Sequence, residues 1–367
     1  MQRYEMICVG AGPAGLAAAV EAAKNGVQVV VFDENERPGG QLFKQIHKFF
    51  GSREHHAKER GFNIGRNFLE EARSHGVDVS LNSVVLGIYE NGGINVMIGD
   101  RIEHVQAQKI LVATGASENM IPFPGWTLPG VIGAGAAQTM ANIHGVRPGN
   151  DILMVGSGNV GVIVSYQMMQ AGCSVAAVID AAPNIGGYAV HAAKIARTGV
   201  PFMMSHTVKA AHGRDRVEGA TIIQVDEAWQ PMAGTERRLD VDTICIAVGL
   251  SPMTQLLRMA GCKTSYEPVL GGRIPVHDKN MQTSIDGVYV AGDIAGIEEA
   301  STAIIEGRIA GLAIAHSLGY IDKVAFLDRR GQQYQSMLGL RSGSHGALRG
   351  KAKEHLNAVM KGSIDAA

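Results

Sequence analysis

Short apolar runs recur along the chain, and several of them break off at a glycine. The first, residues 6–9, leads into Gly10-x-Gly12-x-x-Gly15, an alanine-rich stretch to Lys24 and a second apolar run, 27–32, that ends at Asp33. Short apolar runs bounded by turn formers read as buried strands, and the alanine-rich stretch between them has the composition of a helix, so the segment predicts a βαβ unit. From Asp151 the succession repeats as apolar run, Gly156-x-Gly158-x-x-Gly161, helix, apolar run and Asp180. The tails match as well, with five residues between Asp33 and Gly39-Gly40 and five between Asp180 and Gly186-Gly187. Self-similarity of this kind marks two copies of one supersecondary unit. Two further runs, 109–115 ending in Ala113-Thr114-Gly115 and 243–249 ending in Gly249, answer each other as strands that return to the two sheets. A late run, GVYVAGD at 287–293, precedes a helix expected from Ala300 to Leu318.

Between these landmarks, residues 66–74 predict a helix with Phe68, Leu69 and Ala72 on one face, and 77–98 a β-rich stretch with a turn at Asn91-Gly92-Gly93. Residues 119–150, with Pro122, Pro124, Pro129 and Pro148, read as a crossing between domains. Gly133-Ala-Gly135 within it lacks a third glycine and is not expected to open a βαβ unit. Further strands are expected at 201–204 and 217–225, with a turn at 229–234. The organisation that follows is α/β, with a first dinucleotide-binding domain in two parts (1–120 and 256–320) and a second interleaved between them (121–255). The polar tail, 321–367, reads as an extension or a partner-contact segment.

The chemistry of the repeats follows from their glycines. Gly10 permits the tight strand-to-helix turn, Gly12 lets the backbone approach a pyrophosphate, and Gly15 lets the helix pack on the strand; Pro13 suits the first helical turn, where no N–H partner is lost. The pyrophosphate would sit on the helix N-terminus beside Ala14. Asp33, followed by Glu34, stands where an acid can accept both ribose hydroxyls. Gly40 and Gln41 after the turn, Ala113, Thr114 and Gly115 at the returning strand, and Gly292 and Asp293 on a ribitol or phosphate complete the first site. Ala300 and Ser301 would aim a helix N-terminus at the pyrimidine edge of a flavin. Gln41, Lys44 and His47 either line the redox ring or belong to a solvated loop anchored by Phe49 and Phe50. In the second copy, Gly156, Gly158, Asn159, Val160, Gly161, Asp180 and Gly249 would hold NAD or another adenine nucleotide. After Asp180 come Ala181, Ala182, Pro183 and Asn184, with no cation for a 2′-phosphate. A degenerate copy whose slot stays empty is the alternative.

Composition narrows the partners more than the chemistry. The 367 residues are 46% hydrophobic with a formal charge of -1, which gives no electrostatic reason to expect nucleic acid or an anionic membrane. No apolar stretch is long enough to span a bilayer and no signal peptide is visible, so the cytoplasm is the expected compartment. The four cysteines, Cys8, Cys173, Cys245 and Cys262, form no CxxC pair, and the adjacent His55 and His56 lack further ligands, so no metal site is expected.

With both fingerprints, the strands ending at Gly115 and Gly249, and the late VYVAGD, the chain resembles the two-dinucleotide-binding flavoprotein oxidoreductases, the group that includes thioredoxin reductase. The resemblance covers roughly residues 4–320 and implies interleaved Rossmann-like FAD- and NAD-binding domains of the pyridine nucleotide-disulfide oxidoreductase type. Within that group, LVATGASENMIPFPGWTLPGVIGAGAAQ, GGRIPVHDKNMQTSIDGVYVAGDIAGIEEA and AIIEGRIAGLAIA are similar to the α subunits of heteromeric amine dehydrogenases and oxidases: opine oxidase, sarcosine oxidase, dye-linked proline or hydroxyproline dehydrogenase and hydrogen cyanide synthase. Two departures stand out. The thioredoxin-reductase CxxC is absent, which removes dithiol chemistry, and the cysteine-rich iron–sulfur segment that many of these subunits carry has no counterpart.

Three functions are open at this level. The first is a flavin subunit of a complex that oxidises an amine or amino-acid derivative, assembled with FAD-containing or iron–sulfur partner subunits. The second is a free-standing NADH:acceptor oxidoreductase. The third is a non-catalytic scaffold subunit whose nucleotides are structural.

Overall fold

In the computed structural model, which describes residues 2–49, 51–89 and 92–362, the first repeat is strand β1 (Gln2–Val9), helix α1 (Pro13–Lys24) and strand β2 (Val29–Phe32). It is followed by α2 (Gly61–Ser74), β3 (Asp78–Ser80), β4 (Ser83–Ile88), β5 (Gly93–Ile98), β6 (Arg101–Val112) and β7 (Ala116–Glu118). The second series runs β8 (Val131–Gly133), α3 (Ala134–Asn142), β9 (Asp151–Val155), α4 (Asn159–Gln170), β10 (Ser174–Asp180), α5 (Ala189–Ala196) and β11 (Phe202–Met204). It continues through β12 (His206–His212), β13 (Gly219–Gln224), β14 (Arg237–Leu239), β15 (Thr243–Ile246) and β16 (Leu250–Pro252). The chain then forms α6 (Gln255–Met259), β17 (Thr264–Glu267), β18 (Gly272–Pro275), β19 (Val288–Val290), α7 (Ala300–Ser317), α8 (Lys323–Leu340) and α9 (Ser344–Met360). Phe50 and Asn91 lie outside the described residues. The helix expected to begin at Arg66 starts one and a half turns earlier, at Gly61.

Two units divide the chain, one made of residues 1–117 and 251–367, the other of 118–250. In the first, the sheet order is β3-β2-β1-β6-β5-β4, with β19 also on β6. β1, β2, β3 and β19 run parallel to their neighbours, whereas β4, β5 and the opening half of β6 form an antiparallel meander. The long β6 serves both arrangements. The central strands are buried on both faces, as strands of parallel sheets generally are.

α1 and α7 pack backbone against backbone in this unit. Alanines fill the buried face of α1, and Gly307 and Gly311 of α7 rest on the Ala14 and Ala18 carbonyls, where a methyl group would collide. That close approach draws the N-terminus of α7 and the turn before it toward the phosphate loop of the first repeat. Gly292 in this turn would place a β-carbon 2.9 Å from that of Ala14.

The second unit carries a parallel sheet, β11-β10-β9-β15-β8, and a separate antiparallel one, β12-β13-β14. Here one expectation is corrected. Gly133-Ala-Gly135 does open a strand-to-helix unit, since β8 runs straight into α3. Its glycines serve a carboxylate rather than a nucleotide: Gly135 N donates to Glu118 Oε1 at 2.6 Å, and a β-carbon at Gly133 or Gly135 would strike that side chain. The tail, expected as an extension, forms α8 and α9 and belongs to the first unit. Leu356 of α9 is fully buried against Leu270 and Ile274. Among the described residues no helix is long and apolar enough to cross a membrane.

Candidate functional site

The end of β1 turns into α1 through Gly10-Ala11-Gly12, and each glycine of this fingerprint answers to a different neighbour. Gly10 has φ 105°, which a side chain rarely adopts, and a β-carbon there would lie 2.5 Å from the Ala113 carbonyl oxygen. Gly15 faces the Gly10 carbonyl with no room for a methyl. Gly12 is different. Its backbone is extended, φ −74° and ψ −177°, and nothing in the chain lies within 4 Å of the place its β-carbon would take. Neither conformation nor internal packing asks for glycine at 12, which leaves the space before it open to a group that is not part of the chain. No side chain caps the N-terminus of α1, which leaves its N–H groups and dipole turned toward the same space, an environment for an anion.

Other expected residues converge on this loop. A β-carbon at Gly40 would lie 3.0 Å from Gly12 Cα, and Ala113 N donates to Val9 O at 2.8 Å. Thr114 Oγ1 donates to Met253 O at 3.1 Å and Gly115 O accepts from Met253 N at 3.0 Å, so this strand end is fixed on both sides. Gly10, Gly12, Pro13, Ala14, Gly15, Gly40, Ala113, Thr114 and Gly292 therefore share one cradle. Glu34 and Gln41 are exposed beside it, whereas Lys44 and His47 are half-buried, with the His47 ring stacked on Phe49.

Asp33 departs from its expected role. It is 6% exposed; its Oδ2 accepts from Ala11 N at 2.6 Å, and its Oδ1 accepts from Asn35 N and Asn35 Nδ2, both at 2.8 Å. A carboxylate offers about four acceptor positions. Three are taken within the chain, which leaves room for one ribose hydroxyl rather than two. The acid anchors the loop first. Asp33→Ala is expected to strand the buried Ala11 N–H, destabilise the fold by about 1–3 kcal/mol and release flavin on desalting. Thermal unfolding and the ratio of flavin to protein absorbance check this, and a variant unchanged in both would remove Asp33 from the site.

The second repeat reproduces the main backbone bonds of the first. Gly156 N donates to Ile179 O at 2.8 Å as Gly10 N does to Phe32 O at 2.8 Å, and Ala247 N meets Val155 O at 2.7 Å as Ala113 N meets Val9 O. Ser157 N donates to Asp180 Oδ2 at 2.7 Å, and Ala182 N donates to Asp180 Oδ1 at 2.9 Å. Gly161 again faces the first glycine's carbonyl, and Gly158, φ −64° and ψ 175°, again has nothing within 4 Å of a would-be β-carbon. Asn159 Oδ1 accepts from Tyr188 N at 2.8 Å, and Gly249 O accepts from Asn119 N at 3.0 Å.

Two differences separate the cradles. Ser157 Oγ bridges Asp180 Oδ2 and Gly186 N at 2.7 and 3.1 Å, where the first repeat has only the methyl of Ala11. Ala14 is 5% exposed beneath the Gly292 turn, whereas its counterpart Val160 is 41% exposed. A turn like the one bearing Asp293 is thus confined to the first cradle.

That turn and the start of α7 are only partly legible in the sequence. Gly292 N donates to Glu306 Oε2 at 3.1 Å, so a buried carboxylate inside α7 holds the turn in place. Burial raises the Asp293 carboxyl to about 6, with the negative charges of Glu306 and Glu299 adding to the effect and a backbone N–H at Glu298 and the charge of Lys353 opposing it. Ala300 and Ser301 open an 18-residue helix that no side chain caps. Sequence reasoning missed Glu306, whose one signal is a lone acid in the apolar run AIIEGRIAGLAIA.

All four cysteines are buried and free. Burial pushes the Cys8 thiol well up and the Cys245 thiol up to about 12, so neither is a ready nucleophile. Among the described residues no group of three or more His, Cys, Asp or Glu could hold a metal ion.

Residues 4–307 match the pyridine nucleotide-disulphide oxidoreductase family. An opine oxidase subunit of Agrobacterium tumefaciens (strain Ach5) is 30% identical over 329 residues, which cover 84% of this chain and 65% of that protein. Hydrogen cyanide synthase subunit HcnB of Pseudomonas aeruginosa is 31% identical over 352 residues, 88% of this chain and 73% of that one. Both are named as subunits of larger enzymes. The crystal structure of T. acidophilum thioredoxin reductase superposes with a TM-score of 0.71 at 22% identity, covering 87% of this chain and 99% of that one, and so shares its fold. FAD and a pyridine nucleotide are the two cofactors of the family, and the chain offers two glycine turns, at Gly12 and Gly158, open to a dinucleotide phosphate. Proteins of this fold place both groups on strand-to-helix turns like those at Gly12 and Gly158. The chain belongs to the pyridine nucleotide-disulphide oxidoreductase family and is an FAD-dependent oxidoreductase.

Proposed function

We propose that this chain is the flavin-bearing subunit of a heteromeric dehydrogenase or oxidase acting on an amine or amino-acid derivative of the opine, sarcosine, proline or hydroxyproline kind. Its relatedness to two proteins named as subunits, at 30% and 31% identity over most of its length, carries the reading. Bound FAD supplies hydride and electron transfer, and the protein supplies position and electrostatics. Gly10, Gly12, Gly15 and Gly40 admit the pyrophosphate, Asp33 ties the loop and accepts one ribose hydroxyl, and Asp293 faces the ribitol. The start of α7 at Ala300 and Ser301 turns a partial positive charge toward the flavin ring, where it favours the reduced, more negative ring by about 1 kcal/mol. With Cys8, Cys173, Cys245 and Cys262 all buried, electrons leave to a partner subunit carrying a second FAD or an iron–sulfur cluster rather than through a dithiol of this chain.

The isolated chain is expected to bind FAD and to fail at amine oxidation, while co-expression with its partner subunits gives one assembly that reduces a dye in the presence of the amine. Amine oxidation by the pure single chain would overturn this. A stand-alone NADH:acceptor oxidoreductase is the second reading, favoured by the open space at Gly158 and the absence of a cation just after Asp180. Bleaching of the bound flavin by NADH in the isolated chain would decide for it. No bleaching by NADH, or by amine in the assembly, would leave a scaffold.

A further inference from the structure

Behind the turn that carries Asp293 lies a buried ionic cluster whose cations all come from beyond residue 307, where the family match ends. Glu306 is 4% and Lys353 5% exposed. Lys353 Nζ donates to Glu306 Oε1 at 2.7 Å and to Ala295 O at 2.8 Å, and so reaches both the carboxylate that holds Gly292 N and the end of the turn itself. Arg341 donates to both oxygens of Glu298 at 3.0 and 2.6 Å and to Glu306 Oε1 at 3.1 Å. Arg349 approaches Glu299 at 3.8 Å. Each acid that flanks the start of α7 is thus answered by a cation of the tail. α9 is held in register for this by Leu356, one turn from Lys353 and packed on Leu270.

Taking one partner from a buried ion pair leaves the other charge uncompensated, which is far more costly than the pair is stabilising. Without Lys353, Glu306 would stand as an under-compensated buried charge and turn toward water, and Gly292 N would lose its acceptor. Were Arg341 and Arg349 lost as well, the carboxylates of Glu298, Glu299 and Glu306 would all stand unneutralised beside the cradle.

We propose that the C-terminal helices α8 and α9 belong to the flavin site: Lys353, assisted by Arg341, is a positioning residue that neutralises Glu306 and so sets the turn bearing Asp293 for FAD. This rests on the reading of that turn as part of the FAD cradle. The full chain is reconstituted with FAD, and its affinity, flavin absorption spectrum and far-ultraviolet circular dichroism are compared among Lys353→Met, Lys353→Arg and the double variant Glu306→Gln/Lys353→Met. Lys353→Met is expected to raise the FAD dissociation constant at least about tenfold and to shift the flavin spectrum. Lys353→Arg is expected to restore binding because the charge is kept. The double variant should also recover, because an uncharged amide can still accept from Gly292 N without needing a cation. Binding by Lys353→Met within about twofold of the wild type would overturn the proposal. So would equal loss in the single and double variants, which would make Lys353 a packing residue. If Lys353→Met does not fold, the comparison of Lys353→Arg with the double variant decides in the same way. A wild-type chain that binds no FAD, or one whose Asp293→Ala variant binds it unchanged, would instead defeat the underlying assignment of the cradle.

Discussion

Alanine at position 12 is expected to leave the protein folded and strip it of flavin, whereas alanine at position 15 should destabilise the fold itself. The contrast follows from what each glycine faces. At Gly12 the backbone is extended, with φ −74°, and no atom of the chain lies within 4 Å of the added carbon. Glycine-to-alanine changes at such positions stabilise the fold by about 0.4–1 kcal/mol, because the unfolded chain loses freedom. The cofactor-free Gly12→Ala protein should therefore melt at or slightly above the wild-type temperature. The new methyl fills the space reserved for the pyrophosphate, and the FAD dissociation constant should rise by at least about a hundredfold, roughly 3 kcal/mol. At Gly15 the methyl meets the Gly10 carbonyl and comes within 3.1 Å of Cys8 Sγ, in a fully buried corner where overpacking costs about 1–3 kcal/mol or more. Flavin-to-protein absorbance after desalting, together with thermal unfolding of the cofactor-free forms, separates the two. A Gly12→Ala protein that keeps its flavin would show that the first cradle holds something else.

The cofactor-free protein should become more stable above neutrality when Asp293 is changed to asparagine. Burial, helped by Glu306 and Glu299, holds the Asp293 carboxyl at about 6 in the folded chain, against an ordinary aspartate value of about 3.9. The native state therefore binds this proton more tightly than the unfolded chain does. Stability falls as pH rises from about 4 to about 6, and the full cost, roughly 3 kcal/mol, stands at all higher pH. Asp293→Asn removes that cost. Its melting temperature should exceed the wild type's by several degrees at about pH 8, and the two should converge near pH 4. Flavin binding should weaken, because an amide no longer offers a charged acceptor to the ribitol. The opposition between stability and binding is expected where an acid is kept for function. Equal melting temperatures at about pH 8 would show that the Asp293 charge costs the fold nothing.

The parts of this protein that the sequence determined by itself are those governed by near-neighbour sterics. A glycine required by a tight turn or by a helix resting on its own strand is visible from spacing alone, because the atoms that forbid a side chain lie a few residues away. Gly10, Gly15, Gly156 and Gly161 could be placed for this reason, and with them the repeat, the parallel strands and both cradles. Tertiary structure decided which polar groups meet. Asp33 stood at the right place for a ribose, yet its oxygens are claimed by Ala11 and Asn35, a choice set by how the loop after β2 folds over β1. Gly133 and Gly135 looked like a failed nucleotide motif and instead make room for Glu118, whose approach depends on the path of the linker. Lys353 lies 47 and Arg341 35 residues from Glu306, and no periodicity in a polar tail announces which of its cations will be buried. A lone charge on a helix reads alike whether it meets water or a partner. Only the packing of α9 against the Leu270 region excludes the water and makes the pair obligatory.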